Sequence, residues 1–233
     1  MEAPERTGRA LRKRVAGLLS AGDVDSILCQ LIELPARKII NPLILALYSG
    51  DEETRWRAVL SVGAVVAHLA QEDMESARVI MRRFMWSLND ESGGIGWGAP
   101  EAMGEIMARH EGLAREFAPI LISYLREDGN FLELEALQRG AVWAVARAGQ
   151  VRPDLFRAAG PHLLPYLEST DPAVRGLAAW SLGVLGFRGA RNKLEALLAD
   201  HAEIIIAPEH RPIATRVSRL AREALNALSE QPA

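Results

Sequence analysis

The strongest constraint in this sequence is a pattern of acidic turns and helical glycines that returns several times along the chain. Short acidic turns contain Asp51, Asp90, Asp128 and Asp171, which lie 39, 38 and 43 residues apart. Each turn precedes a run of apolar residues at helical spacing that contains one glycine: Gly63, Gly104, Gly140 and Gly183. A glycine inside a helix costs about 1 kcal/mol relative to alanine. Its return at one repeat position therefore predicts helices that pack too closely for a side chain.

This pattern predicts the fold class, an all-α chain that forms an α-solenoid of about five to six helical hairpins. We expect one domain over residues 1–233, with capping helices in 1–35, central repeats in 36–200 and a capping helix in 201–233. The apolar spacing predicts single helices over 153–167 and 212–229. Strand signals are nearly absent.

The turn at Asp171 and the helix that follows it carry a further signal. Residues 171–186 read DPAVRGLAAWSLGVLG, and residues 51–65 repeat the pattern with Arg55 in the place of Arg175. The pattern resembles the short HEAT-like repeats of bacterial proteins, the type named after phycobilisome lyases. The residues that match are Asp171, Pro172, Val174, Arg175, Ala178, Ala179, Leu182 and Gly183. Residues 87–106 also look like segments of uncharacterised bacterial HEAT-repeat proteins, a resemblance that implies no known activity.

The charge distribution argues against a general attraction to nucleic acid. The net charge is −3, and residues 41–140 carry 16 acidic and 9 basic side chains. We therefore expect a protein partner that is basic at the contact, with binding that weakens as salt rises. The same charge argues against a nucleic-acid partner, because phosphate binding requires the opposite sign.

The cysteine content and the apolar runs indicate a cytoplasmic protein. Cys29 is the only cysteine, which rules out an internal disulfide, and its apolar neighbours predict a buried, inert thiol. The N-terminus has no signal-peptide pattern, and no apolar run is long enough to span a membrane.

The stretch SLNDESGGIGWGAPEAMGEI, residues 87–106, departs from the other repeats. Trp97 lies seven residues before Gly104, as Trp56 lies seven before Gly63, but here four glycines interrupt the helix, which we expect to restart at Pro100. We predict a partner-binding surface on this loop, because tryptophan dominates binding hot spots. The partner-binding residues that we predict are Trp97, Asp90, Glu91, Glu101 and Glu105.

Other interpretations of the same loop stay open. Trp97 has an equal claim to a packing role in which it fills the gap left by the broken helix. The carboxylates of Glu101 and Glu105 lie on one helix face and are an alternative site for a metal or a small cofactor. More simply, Glu101 suits the positive end of a helix, and Glu105 can pair with Arg109. A phosphate cradle is rejected, because the acidic side chains would repel the anion.

The remaining alternatives concern catalysis and DNA. The pair Trp86 and Asp90 resembles the tryptophan and catalytic aspartate of the alkylation-repeat DNA glycosylases, and neighbouring arginines could touch phosphates. We expect Trp86 to pack in the core instead. The pair His110–Glu111 occurs only once, whereas the iron-dependent hydroxylases built from HEAT-like repeats use several such pairs. We predict no catalytic residues, no metal ligands and no cofactor, and favour a non-enzymatic interaction scaffold.

Overall fold

The protein is described by a computed structural model over residues 8–20, 22–89, 96–208 and 210–230. Within these ranges the chain is the predicted all-α solenoid, with helices joined by short turns and one small β-hairpin. It divides into two compact units, residues 1–110 (unit 1) and 111–233 (unit 2). None of the helices in these ranges combines the length and the apolar composition that crossing a bilayer requires.

Unit 1 contains the first six helices. They are α1 (Gly8–Ser20), α2 (Val24–Ile32), α3 (Ala36–Ala46), α4 (Glu52–Glu72), α5 (Met74–Leu88) and α6 (Ala99–Arg109). The repeat aspartate determines where α4 begins, because the Asp51 carboxylate accepts a hydrogen bond from the Thr54 backbone N–H at 2.9 Å. Asp73 caps α5 in the same way through the Ser76 N–H, at 3.0 Å. Each cap satisfies a backbone donor that the first helical turn leaves unpaired.

Helix α4 is the centre of unit 1. It packs against α2, α3, α5 and α6, and its residues between Trp56 and Ala70 are buried on nearly every side. A helix that is apolar all round is expected in this position. A Cβ added to Gly63 would lie 2.3 Å from Glu105 Cγ. This distance confirms that the repeat glycine permits close helix packing.

Unit 2 contains the remaining helices and the hairpin. They are α7 (Glu111–Ser123), α8 (Glu135–Val151), α9 (Pro153–Phe156), α10 (Gly160–Leu163), α11 (Pro172–Val184), α12 (Arg191–Ala196), β1 (Glu203–Ile206), β2 (Ile213–Arg216) and α13 (Val217–Glu230). Helix α11 packs against α8 and α13. A Cβ added to Gly183 would lie 2.7 Å from the Ala224 Cα, which extends the close-packing role of the repeat glycine to this unit.

The predicted helix over 153–167 is wrong, because it is divided into α9, α10 and two single turns of 3₁₀ helix. Pro161 and Pro165 fall within it, and each removes a backbone N–H that a continuous helix would use. Asp171, by contrast, starts α11 as the repeat predicts. Its carboxylate accepts a hydrogen bond from the Ala173 N–H at 2.8 Å and also binds Arg139.

The predicted helix over 212–229 is wrong at its start, since α13 begins at Val217. The preceding residues form β2, which pairs antiparallel with β1. Tertiary contacts explain this strand pair. Ile204 of β1 packs closely on Gly176, where an added Cβ would lie 2.4 Å from the Cδ1 atom of Ile204. The Trp143 indole N–H donates to the Ala207 carbonyl at 2.8 Å, just after β1.

The prediction of a buried thiol at Cys29 is also wrong, because Cys29 is exposed. Ile27 and Leu31 form the buried face of α2. A residue two positions from either of them is turned by about 200° around the helix axis, which places it on the opposite side.

Candidate partner-binding site

Unit 1 carries a groove where α3, α5 and the turn before α6 meet. We call it the α3–α5 groove. It encloses a cavity of about 190 Å³ that is lined by Ile44, Leu47, Tyr48, Arg83, Phe84, Ser87, Trp97 and Ala99. Arg83 is the one charged side chain in that lining. The groove is therefore an apolar recess with a single cation.

Trp97 reaches the groove because helix α6 starts late. Gly98 adopts a left-handed conformation with φ of 73°, which glycine tolerates far better than other residues. Helix α6 then begins at Ala99, one residue from the predicted restart. Trp97 is 41% exposed, so it is partly buried, and it is one of the residues that line the cavity. The packing role and the binding role proposed for this side chain are thus compatible.

The prediction that Trp86 packs in the core is wrong, because this side chain is 80% exposed. The buried face of α5 is formed by Ala77, Ile80, Met81 and Phe84. Trp86 follows Phe84 by two positions, which turns it by about 200° and points it to solvent. It borders an open depression, shared with Arg83 and Asn89, that adjoins the cavity.

The two tryptophans belong to a larger exposed apolar surface. Every exposed large apolar side chain in the described part of unit 1 lies on α3, on α5 or in the short segments that follow α3 and precede α6. Besides Trp86 and Trp97, the members are Leu45, Tyr48 and Val79. Tyr48, Trp86 and Trp97 border adjoining recesses, and apolar surface that is exposed together in this way marks interaction sites in soluble proteins.

Polar contacts fix α3 and α5 beside each other. The Arg83 guanidinium donates to the side-chain carbonyl of Asn41. Arg37 pairs with Asp73, the residue that caps α5. Helices α3 and α5 are therefore joined by polar contacts at two points, of which the Arg83–Asn41 contact involves a residue of the groove. Its geometry does not depend on apolar contacts alone.

Glu101 and Glu105, predicted as partner-binding residues, are buried in α6. Burial raises the pKa of Glu101 above its ordinary value, while the Arg55 guanidinium, with Nη1 3.6 Å from Glu101 Oε1, acts in the opposite direction. Glu105 is fully buried, and its Oε1 accepts a hydrogen bond from Arg109 Nε at 2.5 Å. The suggested pairing of Glu105 with Arg109 is confirmed. Neither carboxylate lines the groove.

Asp90 and Glu91, the other two predicted acids, lie outside the described residues. Of the five predicted partner-binding residues, the structure places Trp97 in the lining of the groove and buries the two glutamates in α6. Within the described part of the chain, no three histidine, cysteine, aspartate or glutamate side chains converge as metal ligands would.

A second cavity, of about 530 Å³, lies in unit 2. Nothing in the sequence analysis pointed to it. It opens beside the segment that connects α7 to α8, and its lining includes Glu127, Phe131, His162 and Tyr166. The Tyr166 hydroxyl donates to the Leu125 carbonyl at 3.2 Å, and burial raises the pKa of Tyr166 to about 12. The phenol is therefore a neutral structural donor at physiological pH.

Comparison with known proteins supports the repeat assignment. Residues 135–183, which run from α8 into α11, match the family model of the HEAT-like repeat. No match is found among curated proteins. The narrower resemblance to phycobilisome-lyase-type repeats stays a prediction.

Solved structures with a similar fold include designed armadillo repeat proteins. A designed armadillo repeat protein aligns with a TM-score of 0.55 and 22% identity, over 98% of this chain and 95% of that one. Computationally designed armadillo repeat proteins for modular peptide recognition align with a TM-score of 0.51 and 21% identity, over 94% and 92%. A Kap121p mutant aligns with a TM-score of 0.54 and 14% identity, over 95% of this chain and 25% of that one. At these identities the likeness shows the fold alone.

Proposed function

We propose that this chain is a non-enzymatic protein-interaction module that binds a segment of a partner protein in the α3–α5 groove. The observation that carries the proposal is the exposed apolar surface around Trp86 and Trp97, which borders an apolar cavity. An exposed tryptophan beside a recess has the character of a binding hot spot, because it removes a large area from water with few rotamers. The cytoplasmic location expected from the sequence belongs to this proposal.

The solenoid fold is consistent with this role. Repeat proteins present extended surfaces on which affinity is distributed and a few residues act as anchors. Two of the similar structures are designed armadillo repeat proteins, and one of these descriptions names peptide recognition. That description concerns the designed protein, and it supports a peptide-like occupant here by analogy of fold.

The charge of the partner is a separate question. The sequence predicts a partner that is basic at the contact. Because Glu101 and Glu105 are buried with arginine partners, that prediction now depends on Asp90 and Glu91 for its acids. It remains a prediction for contacts outside the described lining of the groove.

The test of the proposal compares captured proteins from the source cell's lysate. The baits are the wild type, the double variant Trp86→Ala/Trp97→Ala and the control Val151→Ala. Val151 is also a large exposed apolar residue, but it lies in unit 2. We expect one protein to be captured by the wild type and the control and lost by the double variant. Calorimetry with the purified partner would then measure a loss of about 30-fold or more in affinity, as hot-spot truncation gives. Identical captures by all three baits would contradict the proposal, provided that circular dichroism shows all three folded.

A further inference from the structure

The α3–α5 groove also indicates the chemistry of its occupant. We infer that the partner segment places a carboxylate, from an aspartate or a glutamate, beside its apolar anchor and that the Arg83 guanidinium receives it. This inference rests on the proposed function and adds the sign of the charge at one point of the contact. It concerns the described residues of the groove.

The position of Arg83 is the first argument. Arg83 lines both the cavity, together with Trp97, and the adjoining depression, together with Trp86. A group bound in the cavity or in the depression therefore lies next to the Arg83 side chain. The planar fork of arginine binds carboxylates through two parallel hydrogen bonds, so it supplies geometry as well as charge.

The second argument is that the charge of Arg83 is not neutralised by the described residues. Its hydrogen-bond partner is the amide of Asn41, which is neutral. The nearby arginine Arg82, in contrast, pairs with Glu75 at 2.5 Å. A guanidinium that has only a neutral partner, at the edge of an apolar recess, attracts an anion more strongly than one already paired.

The helices on either side of the groove carry more basic than acidic side chains. The described residues of α3, of α5 and of its N-cap include five basic side chains and two acidic ones. The basic residues are Arg37, Lys38, Arg78, Arg82 and Arg83, and the acidic residues are Asp73 and Glu75. Both acids are occupied by arginines of the same surface. The surplus is positive, which complements an acidic segment.

The size of the cavity limits the anchor. Its volume of about 190 Å³ is below the ~300–1,000 Å³ of pockets that enclose drug-sized ligands. The cavity has room for one large apolar side chain. The occupant that fits is therefore a segment with one leucine, methionine or phenylalanine next to an acidic residue.

The experiment uses the full chain and three fluorescein-labelled peptides of equal length with one central phenylalanine. The residues that flank the phenylalanine are glutamate, glutamine or lysine. Anisotropy titrations at low salt, repeated at high salt, give the three dissociation constants. We expect the glutamate peptide to bind about three- to tenfold more tightly than the glutamine peptide, and this advantage to shrink at high salt.

Variants assign the effect to its residue. Arg83→Gln should abolish the preference for glutamate and leave the affinity of the glutamine peptide within about twofold, since only a charge contact is lost. Arg83→Lys should retain part of the preference. The control Arg222→Gln, on the exposed face of α13, should leave all three affinities unchanged. Trp86→Ala should weaken all three peptides together, because it removes a charge-independent contact.

The outcomes separate the inference from the proposed function. Tighter binding of the lysine peptide, or a glutamate preference that survives in Arg83→Gln, overturns the acidic contact and leaves the groove as a docking site. If a short DNA duplex displaces the glutamate peptide, and the displacement increases with the number of phosphates, the groove binds phosphate groups and the assignment of a peptide as its occupant is wrong. If Trp86→Ala binds each peptide as tightly as the wild type does, or if neither protein binds any peptide, the groove is not a docking site. The proposed function is then wrong as well.

Discussion

Replacing Gly63 by alanine tests the closest helix contact in unit 1. The new Cβ would lie 2.3 Å from Glu105 Cγ, 3.1 Å from its Cβ and 3.3 Å from its backbone carbon. The side chain cannot move aside freely, because Glu105 is fully buried and held by Arg109. Overpacking of this kind costs about 1–3 kcal/mol, and the better helix propensity of alanine offsets about 1 kcal/mol of it. We expect a net loss of up to about 2 kcal/mol in the free energy of unfolding.

Gly17 provides the matched control. It also lies inside a helix, α1, but an added Cβ there meets no atom within 4 Å. Gly17→Ala should therefore stabilise the protein by about 0.4–1 kcal/mol. Urea unfolding followed by circular dichroism measures both changes. A Gly63→Ala variant that gains stability as Gly17→Ala does would refute the close approach of α4 and α6.

A double-mutant cycle sharpens the result. Combining Gly63→Ala with Glu105→Ala removes the Cγ that causes the tightest contact. The two changes should then be non-additive by about 1 kcal/mol or more, because the residues touch directly. Additive losses would show that the cost at Gly63 comes from another neighbour than Glu105.

Three further predictions follow from buried polar groups. Burial raises the pKa of Glu101 in the folded state above the ordinary value of 4.5. The stability that Glu101 contributes is therefore complete below pH 4.5 and is lost as the pH rises through the pKa of the folded state. Glu101→Gln should therefore gain stability relative to wild type between about pH 4 and pH 8 in urea titrations, and a constant difference would contradict this. Asp171→Ala removes a helix cap and the partner of Arg139, and should cost about 1–3 kcal/mol of unfolding free energy in the same assay; a loss below about 0.5 kcal/mol would show that neither contact matters. Trp143→Phe leaves the Ala207 carbonyl without its indole donor, and should both lower stability by about 1–3 kcal/mol and speed amide exchange in the β-hairpin, whereas unchanged exchange would argue against the anchoring role.

The parts of the fold that could be predicted are those determined by local chemistry. Asp51 and Asp171 cap helices at the predicted places because a short carboxylate side chain on an extended residue satisfies the first backbone donors. Gly63 and Gly183 mark close helix contacts because no other residue leaves that space. These signals depend on a few neighbouring residues, and the sequence shows them directly.

The β-hairpin, which replaces the predicted start of α13, depends on partners distant in sequence. The strand at 203–206 is stabilised because Ile204 packs on Gly176, which lies 28 residues earlier in the chain. Ala207, just after the strand, accepts a hydrogen bond from Trp143, which lies 64 residues earlier. Periodicity cannot reveal such contacts. Tertiary context then overrides the helical spacing of residues 212–216, which belong to β2 or precede it.

The two glutamates of α6 show which sequence signal deserved more weight. In the aligned repeats their positions hold apolar residues, such as Leu60 for Glu101 and Ala64 for Glu105. The structure follows the repeat position and buries both side chains. The chemistry of the residue type predicted exposure, but position in the repeat decided the burial. Arginine partners make that burial tolerable.

The α3–α5 groove lies where the chain departs from the repeat pattern. The difference is the residue at which the helix begins after the acidic turn. After Asp51 and Asp171 a helix begins at the next residue and packs without delay. After Asp90 and Asp128 the helix begins only at Ala99 and Glu135. The described residues directly before these helices, 96–98 and 129–134, are not helical, so no helical turn of theirs fills the space beside the neighbouring helix. A cavity lies next to each delayed start. A solenoid that packs each hairpin against the next can thus acquire a binding recess by postponing one helix start, at little cost to the core behind it.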